Sequence, residues 1–335
     1  MDNIYSRRRW LSGAGWAAAA AAVRPPAGAA TGKPLRGIFP IMATPFTKTG
    51  AVDFEDLAKE VDFLIRCGVH GMVWPQLASL YPTLSRQERL HGMEVLAKAA
   101  KGMKPALVLG VQAANQAQML EFADKAESLE PDALIAMPPR EAKTLEDYRA
   151  YYRALAKLAR RPVFIQTTGG ARGLDPPVEF LLELAREFPH LGYVKEEVAP
   201  VMRRIKALVA AKPVIKAVFG GSDAVAVTYE MRLGGDGNMP SAAISDVQAQ
   251  IWELYQSGRR ESARAIFAAM LLVTNVMRHV PNVTPYLMRK RGVFKTTVTR
   301  REGTGGVVHE DPPLDADQIA EIDWNFEALR PYLRA

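Results

Sequence analysis

Pro162-Val163-Phe164-Ile165-Gln166 is followed by a helical stretch, Pro177–Phe188, and then by Gly192-Tyr193-Val194-Lys195. The two outer runs are short, β-rich and almost continuously apolar, the pattern of strands buried on both faces. The stretch between them is amphipathic, with the spacing of a helix. Two strands joined through a helix lie parallel, because a parallel pair needs a crossover connection. The unit predicts α/β architecture on a parallel sheet.

The same alternation extends in both directions. Further strand candidates are Gly37–Ala43, Gly71–Trp74, Ala106–Gly110, Ala133–Met137, Val214–Phe219 and Gly235–Met239. Helical patterns lie between them at Phe54–Cys67, Ser85–Lys101, Asn115–Leu129, Leu145–Arg160, Pro200–Ala211 and Asp223–Leu233. Leu57, Val61, Leu64 and Ile65 form one apolar stripe, and Ser85 with Glu88 reads as a capping box. Eight strand–helix units fit a closed TIM (β/α)8 barrel over residues 35–240 better than an open sheet. Asp246–Ser257, Ser262–Arg278 and Pro285–Arg291 read as further helices, so 241–335 is expected to be a helical extension packed on the outside of the barrel. Thr296–Pro313 is polar and Gly-rich, and Asp315–Leu329 is again helical in pattern.

With 48% hydrophobic and 24% charged residues among 335, the chain can fill a sizeable core. Of the net charge of +7, +3 sits in the first 29 residues (Arg7, Arg8, Arg9 and Arg24 against Asp2), and the rest is spread out rather than gathered into the basic stripe that nucleic-acid binding needs. No apolar run reaches the roughly 20 residues of a membrane span. Cys67 is the one cysteine, so no intramolecular disulfide can form. His91, His190, His279 and His309 show no metal-ligand spacing, and neither a metal nor a cofactor is expected. His70, at the entry of its strand, reads as structural.

Residues 1–30 read as an address. Ser6-Arg7-Arg8-Arg9-Trp10-Leu11 precedes an apolar stretch from Leu11 to Val23, then Pro25-Pro26 and Ala27-Gly28-Ala29. A charged region, a short apolar region and a small-residue cleavage site describe a signal peptide. The arginine pair resembles a twin-arginine export signal, which predicts a periplasmic or otherwise extracytoplasmic protein.

In such barrels chemistry sits at the C-terminal strand ends. That selects Thr44, Gln76, Gln112, Gln166, Thr167, Lys195, Gly221 and Met239 with their neighbours. Lys195 ends the sixth strand. A buried amine made neutral attacks carbonyl carbon, and the iminium so formed is an electron sink. The alternative is a lysine reaching solvent, or one paired with Glu196 or Glu197. Gly220-Gly221 and Gly234-Gly235 can be read as anion nests or as tight turns.

Several motifs carry a resemblance. They are Ile41-Met42-Ala43-Thr44-Pro45-Phe46 with Gly50 and Asp53, then Gly68-Val69-His70-Gly71, then Thr83-Leu84-Ser85 with Glu88-Arg89. Val194-Lys195-Glu196, Gly220-Gly221-Ser222-Asp223 and Gly234-Gly235-Asp236-Gly237 complete them. Together they resemble the dihydrodipicolinate synthase / N-acetylneuraminate lyase family of pyruvate-dependent aldolases, from about Leu35 to Arg291. The resemblance implies a TIM barrel, a Schiff base on Lys195, a small-molecule carbonyl substrate and a homotetramer or homodimer.

The chain departs from that family in its pocket. The family usually reads Gly-Thr-Thr-Gly-Glu-Ser after strand two, its threonines holding the 2-oxo acid carboxylate and relaying a proton. Here Gln76-Leu77-Ala78-Ser79-Leu80-Tyr81 stands there. The family tyrosine after strand five is Gln166, and a second tyrosine, shared between subunits, is replaced at Met137-Pro138-Pro139-Arg140. An amide does not titrate near neutrality, so Gln166 can orient a carbonyl or water but not move protons. Tyr81, Glu196, Gln76, Ser79 and Thr167 are candidate replacements for the lost relay. Arg172, about one residue out of register with a family arginine, can meet an anionic substrate at the pocket mouth. Gln166, Gln76, Ser79, Thr44, Thr167, Arg172, Gly221 and Met239 are therefore the expected substrate-binding set around a catalytic Lys195. Three functions follow: a 2-oxo acid lyase or aldolase, with a dehydratase or hydratase outcome open; an exported binding protein without turnover; and a lysine enzyme for a non-pyruvate carbonyl, in an apolar pocket made by Trp74, Leu77 and Ala78.

Overall fold

Every strand that ends near a candidate site residue is short, and each is followed by a helix. The computed structural model describes residues 32–303 and 308–335; the export-signal reading lies outside them. The alternation runs β1 (Gly37–Ile38), α1 (Phe54–Cys67), β2 (Gly71–Trp74), α2 (Arg86–Ala99), β3 (Ala106–Gly110), α3 (Gln116–Ser128), β4 (Ala133–Ala136) and α4 (Leu145–Leu158). It continues through β5 (Val163–Gln166), α5 (Val178–Glu187), β6 (Tyr193–Lys195), α6 (Val201–Ala210), β7 (Ala217–Gly220), α7 (Val227–Arg232) and β8 (Gly237–Asn238). All pairings are parallel, in the order β1-β8-β7-β6-β5-β4-β3-β2. A bridge between Ile41 and Val73 brings the chain after β1 against β2 and nearly closes the TIM barrel.

Local chemistry sets the helix ends. Asp53 caps α1 by accepting from Asp56 N (3.1 Å), and Gly68, at φ 79°, takes the left-handed turn that ends it. The Ser85–Glu88 capping box forms in both directions at the start of α2. His70 is held from two sides: its Nδ1 accepts from Ile38 N at 3.3 Å, and its ring fills the space that a side chain at Gly37 would take.

Three expectations shift. β1 is cut short of Ala43 because Pro40 has no N–H for the ladder. Val214 donates to Ala211 O (3.0 Å), so it belongs to the turn after α6 and β7 begins later. The helix expected from Asp223 starts only at Val227, because Ser222, Asp223 and Ala224 have φ of 50°, 54° and 59°. The polar tail also contains a short antiparallel hairpin, β9 (Arg300–Glu302) with β10 (Val308–Glu310). Arg300 ties it to α2 through two bonds to Glu88 (2.7 and 3.0 Å).

The core has two layers. Inside the barrel Phe39, Ile41, Val73, Val108, Ile135, Phe164, Phe219 and Met239 pack together. Outside it, Leu57, Val61, Leu64, Leu155, Leu181 and Leu208 bury the helix faces, at roughly 1.5–3 kcal/mol for each large side chain. α8 (Ser245–Gln256), α9 (Arg260–His279), α10 (Val283–Lys290) and α11 (Ala316–Glu327) form the C-terminal helices. The buried Arg291–Asp246 pair, with bonds of 3.1 and 2.6 Å, fixes α8 to the chain end of α10. The α9–α10 connection also reaches the barrel top, where Pro281 and Asn282 share a cavity of about 210 Å3 with Thr44, Ala78, Asp223 and Ser241.

Candidate active site

Register brings the central residues together. Gln166 and Lys195 are direct partners across β5 and β6, and Lys195 is the partner of Phe219 across β6 and β7. Directly paired residues point to the same face. Lys195 is 2% exposed. Its Nζ lies 3.1 Å from Glu197 Oε2 and donates to Gln166 Oε1 at 3.4 Å.

Glu197 is the most heavily engaged group here. Its Oε2 also accepts from Gln166 Nε2 (3.0 Å) and Thr168 Oγ1 (3.2 Å), and its Oε1 accepts from Ser222 N (3.1 Å). Burial alone would raise the Glu197 carboxyl pKa, but the Lys195 charge and these hydrogen bonds outweigh it and hold it below the ordinary range. The turn after Gly220-Gly221 thus does receive an anion, and that anion is the protein's own carboxylate. A side chain on Gly221 would overlap Glu197 Oε1 and come within 2.9 Å of Lys195 Cε.

The other expected residues are placed differently. Glu196 points away from Lys195: its Oε2 lies 3.0 Å from Arg204 Nη2 on α6, and Thr167 Oγ1 donates to its Oε1 at 2.8 Å. Thr167 Oγ1 also accepts from Glu197 N at 3.0 Å, so this hydroxyl braces the backbone after Lys195 and holds Glu196. Thr44 Oγ1 donates to Ser79 O (2.5 Å) and accepts from Trp74 Nε1 (3.1 Å), while Ser79 Oγ donates to Met42 O (2.5 Å). Both hydroxyls are used within the protein. Gln76 donates to Gln112 Oε1 at 2.8 Å and keeps its own buried Oε1 without a partner. Met239 packs in the barrel interior, and Arg172 is exposed on the loop after β5. Trp74 packs on Gly92 of α2 and Leu77 is exposed, so they do not build an apolar pocket with Ala78. Tyr81 stands between the guanidinium groups of Arg89 and Arg140, at 5.6 and 5.5 Å, and burial raises its pKa.

The first comparison with known proteins decides the family. A model of the dihydrodipicolinate synthetase family matches residues 34–304. The chain belongs to this family. The 4-hydroxy-tetrahydrodipicolinate synthase of Chlorobium chlorochromatii is 27% identical over 267 residues, 78% of this chain and 89% of that protein. The L-2-keto-3-deoxyarabonate dehydratase of Azospirillum brasilense is 25% identical over 298 residues, 86% and 92% of the two. The dihydrodipicolinate synthase structure from Rhodopseudomonas palustris superposes with a TM-score of 0.77 at 21% identity, covering 88% of this chain and 97% of that one. As a dihydrodipicolinate synthetase family member the protein is a lyase of the class I aldolase type. Among the described residues no group of three or more His, Cys, Asp or Glu is placed to hold a metal ion.

The sequence offers Glu197 only as an alternative salt-bridge partner for Lys195. The signal was the strand period: a residue two positions after Lys195 returns to the same face.

Behind the turn lies a second carboxyl. Glu230 on α7 fills the space beside Gly220 and accepts from Asn238 Nδ2 at 2.7 Å; Asn238 in turn donates to Gly221 O at 3.1 Å. Burial, reinforced by the Glu197 charge and opposed by the Asn238 bond, pushes its pKa from 4.5 up to about 7. Between these values the native state holds a proton that the unfolded chain has released. This group's contribution to stability is thus full below about 4.5 and falls as pH rises to about 7, by up to about 3 kcal/mol. Denaturant unfolding at pH 5 and pH 7.5 is expected to show a smaller difference in Glu230→Gln than in the native protein. An identical pH difference in both counts against it.

Proposed function

We propose that this protein is a lyase that captures a 2-oxo acid as a Schiff base on Lys195. The carrying observation is the buried Lys195 at the end of β6, with Nζ 3.1 Å from a carboxylate and 3.4 Å from the Gln166 amide. Such a pair can pass through the neutral amine that attacks a carbonyl, and the iminium then withdraws electrons from the neighbouring carbon. Gln166, whose two amide hydrogens go to Glu197 and Thr168, keeps its Oε1 on Nζ and so orients the lysine amine. The kinship with both a synthase and a 2-keto acid dehydratase supports the substrate class and leaves C–C and C–O bond cleavage as the two outcomes. The N-terminal arginines and the apolar run behind them support export of the folded enzyme.

Borohydride reduction in the presence of pyruvate, followed by peptide mass spectrometry, is expected to find the adduct on Lys195. Its absence across a panel of 2-oxo acids removes the proposal. A second reading takes a neutral carbonyl, such as a sugar or aromatic aldehyde. It is favoured by the commitment of the Thr44 and Ser79 hydroxyls and by the negative Glu197 beside the lysine. Adducts with aldehydes but with no 2-oxo acid select it.

A further inference from the structure

We infer that Glu197 is the proton-transfer group of this site, taking the proton from the Lys195 ammonium before attack and then a proton from C3 of the iminium. The inference rests on the Schiff-base reading of Lys195. Its first support is position. The structure places Glu197 Oε2 3.1 Å from Nζ, within the roughly 2.6–3.2 Å reach that proton transfer needs. C3 of a captured 2-oxo acid stands only two bonds from Nζ, so it comes within contact of the same oxygen.

The second support is elimination. Gln166, which also contacts Nζ, is an amide and does not titrate. Glu196 is turned to Arg204, Tyr81 is set between Arg89 and Arg140, and Glu230 is bonded to Asn238 behind β7. The third is the cost of holding Glu197 there. Ser222, Asp223 and Ala224 are non-glycine residues in left-handed backbone, which strains the chain. That turn aims the Ser222 N–H at Glu197 Oε1, and only glycine at 221 leaves room for the carboxylate. Strain beside a nucleophile, in a turn that gives Ser222 N to this carboxylate and receives Ser241 N on Asp223 Oδ1, is of the kind that gathers at functional sites.

The cycle balances. Glu197 carboxylate takes one proton from the Lys195 ammonium, and the neutral amine adds to C2. The carbonyl oxygen takes that proton back from Glu197 and becomes the carbinolamine hydroxyl. Glu197 then removes a second proton from the nitrogen and delivers it to this hydroxyl, which leaves as water as the nitrogen lone pair closes the iminium. Ammonium, carboxylate and ketone have become iminium, carboxylate and water, with no net change of charge. Glu197 next takes a C3 proton, the C–H electron pair forms the enamine double bond, and Glu197 is left as the acid. Return of a proton from Glu197 to C3 regenerates the iminium.

That last step is measurable without the natural substrate. The full chain in D2O is expected to exchange the methyl protons of pyruvate, read by proton NMR, and to be trapped by borohydride on Lys195. Glu197→Gln is expected to form the adduct more slowly, yet still be trapped on long incubation, while exchange falls by about 10²–10⁴-fold. Trapping reports that this variant is folded and keeps its nucleophile. Should it not fold, Glu197→Asp, which keeps the charge but withdraws it, is expected to trap and to exchange at least tenfold slower. Exchange at the native rate in a variant that traps overturns the assignment, as does a native protein that traps but does not exchange. A native protein that does not trap pyruvate overturns the Schiff-base reading and this assignment with it, so the two failures are told apart by the trapping arm.

Discussion

Lys195→Met is expected to lose the trappable adduct and all turnover, and also to lose stability. The variant leaves Glu197 without its cation in a site where Lys195 is almost fully buried. Removing one partner of a buried pair strands the other charge, which costs about 3–5 kcal/mol when both are fully enclosed. Glu197 keeps some exposure and three other donors, Gln166, Thr168 and Ser222 N, so about 2–3 kcal/mol is the expected loss here. Lys195→Met/Glu197→Gln separates the pair from its chemistry. The glutamine can still accept from Ser222 N and no charge remains to be desolvated, so the double variant is expected to regain the native stability or exceed it by about 1 kcal/mol. Denaturant unfolding of the native chain and the two variants measures this. A double variant no more stable than Lys195→Met would mean that the pair is kept for packing. Recovery means that the chain carries a costly ion pair for the reactivity of its amine.

What was readable in the sequence follows from the range of the interaction involved. β2 and β3 are placed as their apolar runs place them, and α1 runs from Phe54 to Cys67 as its stripe of Leu57, Val61 and Leu64 requires. These are signals of period, carried by neighbours in sequence. The run of three left-handed residues Ser222–Ala224 was not readable, because only Asp223 is of a type that visits such backbone and Ser222 and Ala224 are not. They are held by contacts far away in the chain, Ser222 N to Glu197 and Asp223 Oδ1 to Ser241 N (3.1 Å). The hairpin of Arg300–Glu302 was hidden for the same reason, being anchored by Arg300 to Glu88. In the site, strand ends located Lys195 and Gln166, but their meeting depends on the register of β5 against β6. Whether Thr44 and Ser79 offer free hydroxyls depends on the carbonyls of Ser79 and Met42 that take them. Residue type alone does not reveal such partners.

Phe219→Ala tests the layer on which the site rests. Phe219 is fully buried, and its ring meets Phe39 and Phe164 edge-on, each at 5.1 Å with interplanar angles of 80° and 83°. A side chain on Gly237 would overlap the ring, so β8 has been left bare to admit it. Truncation removes the whole ring from a close-packed barrel interior that cannot collapse around the gap, because eight strands hold its walls apart. A loss of about 3–5 kcal/mol is expected, the cost of Phe→Ala at a buried site. Trp324, which is 76% exposed, supplies a control of larger size: Trp324→Ala should change stability by no more than about 0.5 kcal/mol. The effect should also reach the chemistry. Phe219 is the register partner of Lys195, and its carbonyl accepts from Glu196 N at 2.8 Å. A void at that level loosens the strand end that aims Nζ at Glu197, so the remaining folded protein should trap pyruvate more slowly than the native chain. Phe219→Leu, which keeps most of the volume, should recover both stability and trapping. If Phe219→Ala unfolds at the native denaturant concentration, the barrel interior is not close-packed beneath Lys195, and the rigidity argued for the site has to come from the strand-end turns alone.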